Sequence, residues 1–400
     1  MTIRKDFMVD LLVALNIIII LAFSDYGMLC KAIQVTSCCI IVFLNVKKRF
    51  KIKSLTFIFL KLFFVLFCGI SYIWAVNTSN IINWSFGIAF RIINALIMIF
   101  YIKDEEHWRK FVYFLFIAGL IFCIRMIIVV PFSAWGNERV GVYLAHDGGN
   151  GYGFTGITYV LGMISTIIIS SENVFKNKKS KWVFGIIFAL FSLMSGSKKQ
   201  IFILAITLLS LAFLKSKNQK VLIKNIILVA ISFSVVVFII MRVEILYNAI
   251  GVRMVSFFNY FSDNQIDADA STISRANYMQ EAFQIFLKHP FFGVGIDCFR
   301  FVNSYATVWA ENNYLELLAD LGIIGTIIYY IPHFIILKGV KQRSKLRNDI
   351  DTVIFTSIIC LLFIDFSMVS YASQELQFFL SFIFISNYMR GEQYKDERLK

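Results

Sequence analysis

The stretch Leu55–Val76, LTFIFLKLFFVLFCGISYIWAV, carries one charge, Lys61, and is otherwise almost wholly apolar. A helix needs about 20 apolar residues to cross the hydrocarbon of a bilayer, and this run meets that length without a polar face. Val221–Met241 repeats the pattern, and so does most of the chain. The 400 residues are 58% hydrophobic and 16% aromatic, with a mean hydropathy of +0.74 and only 3 prolines. A water-soluble domain of this size could not hide that much apolar surface. Alternation of period two is absent, which argues against an outer-membrane barrel. The sequence therefore predicts an all-α integral membrane protein of about twelve spans, at roughly 7–23, 28–46, 55–76, 82–102, 111–131, 152–171, 182–197, 199–214, 221–241, 313–337, 351–370 and 374–389.

Most of the 39 Lys and Arg fall in 1–6, 47–53, 103–110, 172–181, 215–224, 338–347 and the C-terminal tail, which this topology places on one side. Cytoplasmic connections collect such cations, so both termini are expected in the cytoplasm. The formal net charge of +14 then needs no nucleic acid as partner; it is mostly an orientation signal in contact with anionic lipid. No cleavable signal peptide is expected, because no small-residue cleavage site precedes the Ser24-Asp25 break. The seven cysteines have no metal or redox spacing and read as small apolar fillers.

Two long connections face outward on this topology. Residues 132–151 are glycine-rich, and residues 242–312, between the ninth and tenth spans, form the largest loop. Loops this long in a compact membrane protein are usually functional or disordered. Within the larger one, RANYMQEAFQIFLKHP (275–290) spaces Met279, Ala282, Phe283 and Phe286 at helical intervals. Thr272 or Ser274 is the expected cap and Pro290 the stop, giving an amphipathic helix over about 274–288 at the outer membrane surface. After the glycine turn FFGVGIDCF (291–299), the chain re-enters the bilayer at WAENNYLELLADLGIIG (309–325). No internal repeat is visible, which disfavours transporter folds built from duplicated halves.

Charges in or beside spans are costly, by at least about 2.5 kcal/mol for a central one, and so point to function or to pairing. Lys61 lies close enough to its cytoplasmic end to snorkel; Arg91 sits mid-span and is equally compatible with an interior role and an ion pair, and Arg125 and Asp365 also fall within or at the edge of spans. The SGSKKQ turn (195–200) puts Lys198 and Lys199 on the outer side, where backbone N–H groups and two ammonium charges suit a phosphate. Arg139, Arg253, Arg275 and Arg300 share that compartment, and guanidinium suits bidentate recognition of pyrophosphate. Asn312, Glu316 and Asp320 recur at i, i+4 and i+8, one polar stripe of a helix. Glu311, just before that helix, is placed either to cap it or to act as a general base on a sugar hydroxyl. No phosphate-binding loop, dinucleotide fingerprint, zinc-protease or nucleophile-elbow motif is present, and the four histidines are too dispersed to suggest a metal.

These residues resemble the signature of the O-antigen polymerase and O-antigen ligase superfamily (the Wzy/WaaL kind). That signature runs as Arg, then His-Pro-x-x-Gly-x-Gly, then His-Asn-x-Tyr-Leu-Glu followed by Gly-x-x-Gly. Arg275, His289, Pro290, Gly293, Gly295, Asn312 or Asn313, Tyr314, Leu315, Glu316, Gly322 and Gly325 fit it over about 50 residues, and SGSKKQ is similar to the family's Ser-Gly-Ser-Arg segment with Lys198 in the arginine place. The resemblance implies a fold like that of the membrane glycosyltransferases of the GT-C type. The donor it implies is an oligosaccharide on undecaprenyl pyrophosphate, used outside the bacterial plasma membrane without cofactor or metal, with a flippase and a chain-length regulator as partners. Polymerases of this kind add the chain to the next lipid-linked unit, in O-antigen, capsule or a related polymer; ligases pass it to another acceptor. This chain carries Glu311 or Asn312 where relatives keep histidine, which favours polymerase over ligase. On this reading Glu311 and Arg275 are catalytic, and Lys198, Lys199, Arg139, Arg300, Asn312, Asn313 and Glu316 bind substrate. A polysaccharide flippase or other transporter is the rival, for which Arg91, Arg125 and Asp365 would line the path.

Overall fold

The computed structural model describes residues 2–24, 27–45, 55–135, 140–144, 156–175, 177–195, 197, 199–252, 254–255, 270–305, 307–344 and 347–398. The described residues are helical, with turns and no strand. The principal helices are α1 (Thr2–Ala22), α2 (Gly27–Asn45), α3 (Thr56–Ile70), α4 (Ile81–Phe90), α5 (Ile92–Tyr101), α6 (Glu105–Val129), α7 (Gly156–Ser170), α8 (Lys178–Met194), α9 (Lys199–Lys215), α10 (Gln219–Arg242), α11 (Ala270–Lys288), α12 (Asn313–Gln342), α13 (Asp349–Ile364) and α14 (Gln374–Arg398). Among the described residues, six helical segments are long and apolar enough to cross a bilayer: Gly27–Asn45, Thr56–Ile73, Ile81–Tyr101, Glu105–Val129, Gln219–Arg242 and Asn313–Gln342. Helix occupies each of the twelve windows read from the sequence, α4 and α5 sharing one. The protein is thus all-helical and multi-pass.

Its packing follows from the composition of each helix. Every described side chain of α7 from Ile157 to Ser170 is buried, as expected of a helix that is apolar all round and lies at the centre. It packs on α8, α9 and α13, while α1 lies along α6. Aromatic rings of α6 stack on α14, as in Phe111 on Phe382 with centroids 5.0 Å apart. A second apolar cluster joins α3 and α4 to α11, α12 and residues 294–299. By contrast, α10 buries only Ile240 and presents Ile223, Ile227, Leu228, Ile231 and Phe238 outward, the surface expected of a helix facing lipid.

One crossing positions the site. α12 is broken at Gly322, whose φ of 64° and ψ of −168° leave the helical region. A broken helix strands carbonyls before the break and N–H groups after it. The turn that follows α11 supplies both partners. Val294 N donates to Ala319 O at 3.0 Å and Gly295 N to Asp320 O at 2.8 Å, while Ile323 N donates to Pro290 O at 2.9 Å. The backbones approach so closely that a Cβ on Gly293 would strike the main chain of Asp320, and one on Gly322 would strike that of Phe291. The glycines of the His-Pro-x-x-Gly and Gly-x-x-Gly elements thereby dock one segment into the other, and Gly322 is more than a packing contact.

At the C-terminal end of α12, Asp351 accepts from Arg343 Nε at 2.7 Å and from Arg390 Nε at 3.1 Å, all three side chains being buried. Two of the cations read as an orientation signal therefore join α12, α13 and α14 instead of meeting lipid. Lys61 does not snorkel: its ammonium is buried beside Gln377 and over the rings of Phe57 and Tyr329. Arg91 is turned inward too, donating to the carbonyls of Tyr371 and of Ala372, the latter at 2.6 Å. α11 begins by Ala270, before the expected cap at Thr272 or Ser274, because nothing in that polar segment stops a helix.

Candidate active site

Helix α12 opens on Asn312, whose side chain accepts from Tyr314 N at 3.0 Å and Leu315 N at 3.1 Å. That is the N-cap, and it consumes the amide oxygen of Asn312. Glu311, the other candidate for the cap, is turned away from the helix. Its φ is +55°, a left-handed backbone that costs a side-chain-bearing residue of order 1 kcal/mol or more. In that conformation its Oε2 lies 3.6 Å from Arg275 Nε of α11, and both side chains keep about a third of their exposure, at 37% and 32%. The two residues read as catalytic, 36 positions apart, thus face each other across the start of α12.

The stripe behind them is occupied by the protein itself. Glu316 is fully buried; its Oε2 accepts from Ala310 N at 2.6 Å, while Oε1 has no partner among the described residues. Asp320, equally buried, accepts from Asp297 N at 2.8 Å, Phe299 N at 2.7 Å and Tyr371 Oη at 3.2 Å, and so fixes the loop that precedes Arg300. Asn313 donates to Tyr330 Oη at 2.9 Å and accepts from Tyr371 N at 3.0 Å. Asn312, Asn313 and Asp320 therefore hold the architecture of the site from inside, and among the stripe only Glu316 keeps an unfilled oxygen.

Beside Glu311 stands a second cluster. Asp297, with a φ of +60°, pairs with Arg300 Nη2 at 2.9 Å and accepts from Trp309 Nε1 at 3.2 Å. Burial pushes its carboxyl above the usual range, with Arg300, Trp309 and Trp84 pulling the other way. The Arg300 guanidinium lies 5.0 Å from the Phe301 ring and 5.5 Å from the Trp309 ring.

Sequence reasoning missed the wall between the two halves. Residues 365–372, read as the end of a span and a short turn, bridge them. Ser367 O accepts from Lys199, whose ammonium also reaches Tyr159 Oη at 2.7 Å; Phe366 O accepts from Asn312 Nδ2 at 3.4 Å; Asp365 O accepts from Asn313 N at 2.7 Å. The signal was Asp365, a carboxylate in an apolar window; the distance from Lys199 in sequence concealed its partners. Lys199 is accordingly tied to α7 and this wall. Lys198 and Arg139, together with Arg253, lie outside the described residues. Among the described residues no three His, Cys, Asp or Glu converge to hold a metal ion.

A family model described as O-antigen ligase matches residues 183–330. No curated protein matches the chain. The matched stretch runs from α8 through the SGSKKQ turn, Arg275 and the glycine crossing into α12, and leaves out Arg91 and the wall at 365–372. The signature residues agree with this match, so residues 183–330 of the chain are similar to the O-antigen ligase family.

Proposed function

We propose that this protein is a polysaccharide polymerase, which moves a glycan chain from undecaprenyl pyrophosphate to the next lipid-linked repeat unit on the outer face of a bacterial plasma membrane. The observation that carries this is the Arg275–Glu311 pair at 3.6 Å, a cation and a carboxylate that keep about a third of their exposure beside the buried, internally bonded Asn313, Glu316 and Asp320. Transfer needs a base for the acceptor hydroxyl and a cation for the departing pyrophosphate. Glu311 takes the first role. Arg275 takes the second; Lys198 and Arg139, which lie outside the described residues, would assist, and Lys199 would join them only by leaving Tyr159 and Ser367. As the hydroxyl oxygen attacks the anomeric carbon, its proton passes to Glu311, the glycosyl–oxygen bond to the pyrophosphate breaks, and the lipid pyrophosphate leaves with the electron pair. One displacement inverts the anomeric centre.

At rest Glu311 Oε2 faces Arg275 Nε at 3.6 Å, so the acceptor hydroxyl and the donor pyrophosphate each approach one partner of the same ion pair. Arrival of a pyrophosphate gives the guanidinium a stronger anion and releases the carboxylate. The arrangement also supports twelve spans of GT-C-like architecture with both termini in the cytoplasm. Lys199 of the SGSKKQ turn and Asn312 beside Glu311 bond neighbouring carbonyls, Ser367 O and Phe366 O, while Arg343, which shares Asp351 with Arg390, follows the other end of α12. α11 buries Ala282 and Ile285 against the fold while exposing Phe283 and Leu287, as a helix resting on the outer leaflet and guiding the lipid carrier would. The test is purified protein with lipid-linked repeat units: a ladder of products is expected, and its absence with competent substrate would overturn the reading. The family description favours a second reading, a ligase passing the glycan to another acceptor; products that stop at one transfer to a non-carrier acceptor would select it.

A further inference from the structure

Arg300 is poorly suited to the phosphate role that its charge suggests. Its charge is already balanced by Asp297 at 2.9 Å, and its guanidinium lies against two rings, Phe301 and Trp309. Its Nε is buried with no partner among the described residues, and the side chain keeps 20% of its exposure. A neutralised guanidinium with a spare donor, flanked by aromatic surface, is suited to a hydroxyl-rich, uncharged ligand, since donors orient hydroxyl groups while rings cover the apolar C–H faces of a sugar.

The surroundings continue the same chemistry. Trp84 of α4 meets Trp309 edge to face at 6.4 Å, and Asp297 holds the Trp309 indole in place. Phe301 is 38% and Tyr305 is 41% exposed, and Tyr305 contacts Tyr278, one turn along α11 from Arg275. Glu281 fixes this rim by accepting from Ser304 N at 2.7 Å and Ser304 Oγ at 2.6 Å. Trp309 is two residues from Glu311, and the intervening Ala310 is bonded to Glu316, whose Oε1 is the one unfilled acceptor of the buried stripe.

We propose that Trp309, Arg300 and the aromatic rim of Phe301 and Tyr305 form the subsite for the acceptor sugar, a neutral pyranose that they present to Glu311, and that Arg300 takes no part in binding pyrophosphate. Asp297 is a positioning residue, which sets Arg300 and Trp309 and does not itself touch the sugar. This inference rests on the transferase reading for the order of events, and on the cluster alone for the class of ligand.

The full-length protein in lipid nanodiscs tests it with two probes: the free oligosaccharide released by mild acid from the cell's own lipid-linked units, and bare undecaprenyl pyrophosphate. Trp309→Ala and Arg300→Gln are expected to weaken oligosaccharide binding about tenfold and to raise the acceptor KM to match, while undecaprenyl pyrophosphate binds as before. Trp309→Phe, which keeps an aromatic face but loses the indole N–H and one of the two fused rings, is expected to recover part of the affinity and supplies the reading if the alanine variant does not fold. Weaker binding of undecaprenyl pyrophosphate to Arg300→Gln would overturn the proposal, as would unchanged oligosaccharide binding in all three variants, the result for an aromatic belt that merely anchors the protein in the interface. Wild-type protein that binds the oligosaccharide through these residues but yields no product would retain the subsite and remove the transferase reading, so the two failures are distinguishable.

Discussion

At the scale of single residues, Glu311 combines a left-handed backbone, an ion pair and a half-exposed carboxylate, and each has a measurable consequence. Glu311→Gln keeps the shape and removes the base; with Arg275→Ala, it is expected to lower polymer formation by about two orders of magnitude or more, read as product length on gels. Exchanging the two charges, Arg275→Glu with Glu311→Arg, rebuilds the ion pair; restored stability without restored activity is expected, and recovered polymer would mean that the pair is structural only. Glu311→Gly removes the cost of the positive φ, so its melting temperature should not fall even though activity is lost. A clear drop in that temperature would show that the Arg275 contact outweighs the strain.

At the scale of elements, the glycine crossing joins the turn after α11 to the break in α12, and everything in the site hangs from it. Gly322→Ala and Gly293→Ala each force a Cβ into the opposing main chain and demand φ near +65° of a residue that avoids it. Each is expected to cost more than about 2 kcal/mol and to reduce folded protein, measured as thermal stability in detergent. Asp320→Ala, which leaves two buried N–H groups and a tyrosine hydroxyl without their acceptor, should be comparably damaging, by roughly 2 to 5 kcal/mol. Stability equal to wild type in these variants would mean that the crossing does not hold the site. The existence of α11 and α12 was legible in apolar spacing and in Pro290. The break at Gly322 was not, because a glycine within an apolar run reads equally as close packing and as a stop, and only the partner backbone decides between them.

At the scale of the whole molecule, the Arg275–Glu311 pair and the Arg343–Asp351–Arg390 cluster stand at opposite ends of α12. Single cysteines placed at Tyr305 and at Lys341 should separate in labelling by an impermeant maleimide: Tyr305→Cys is expected to react in intact spheroplasts, Lys341→Cys only after permeabilisation. The reverse pattern would invert the topology and with it the outer-face reaction. Asp351→Ala should cost about 3 kcal/mol, since it leaves the buried Arg343 guanidinium with no carboxylate while Arg390 keeps Glu397, and a small effect on the melting temperature would show that water reaches Arg343.

The sequence by itself determined the class of the protein, because the bilayer imposes one requirement on every span, a length of apolar residues, and that requirement is written locally in the chain. It also singled out the basic turn at 195–200, Arg275 and Glu311 as charges in an apolar context, among residues that resemble the signature of one superfamily. What only the tertiary structure decided was which charges remain available. Asn312, Asn313, Asp320, Arg91 and Lys61 all looked like candidates for substrate or lipid, and all are engaged by partners within the protein, several of them 50 or more positions away in sequence. A buried polar group must find its partner wherever the fold supplies one, and sequence spacing carries no record of contacts between distant segments. The pairing of Arg275 with Glu311 and the wall at 365–372 belong to that same order of information.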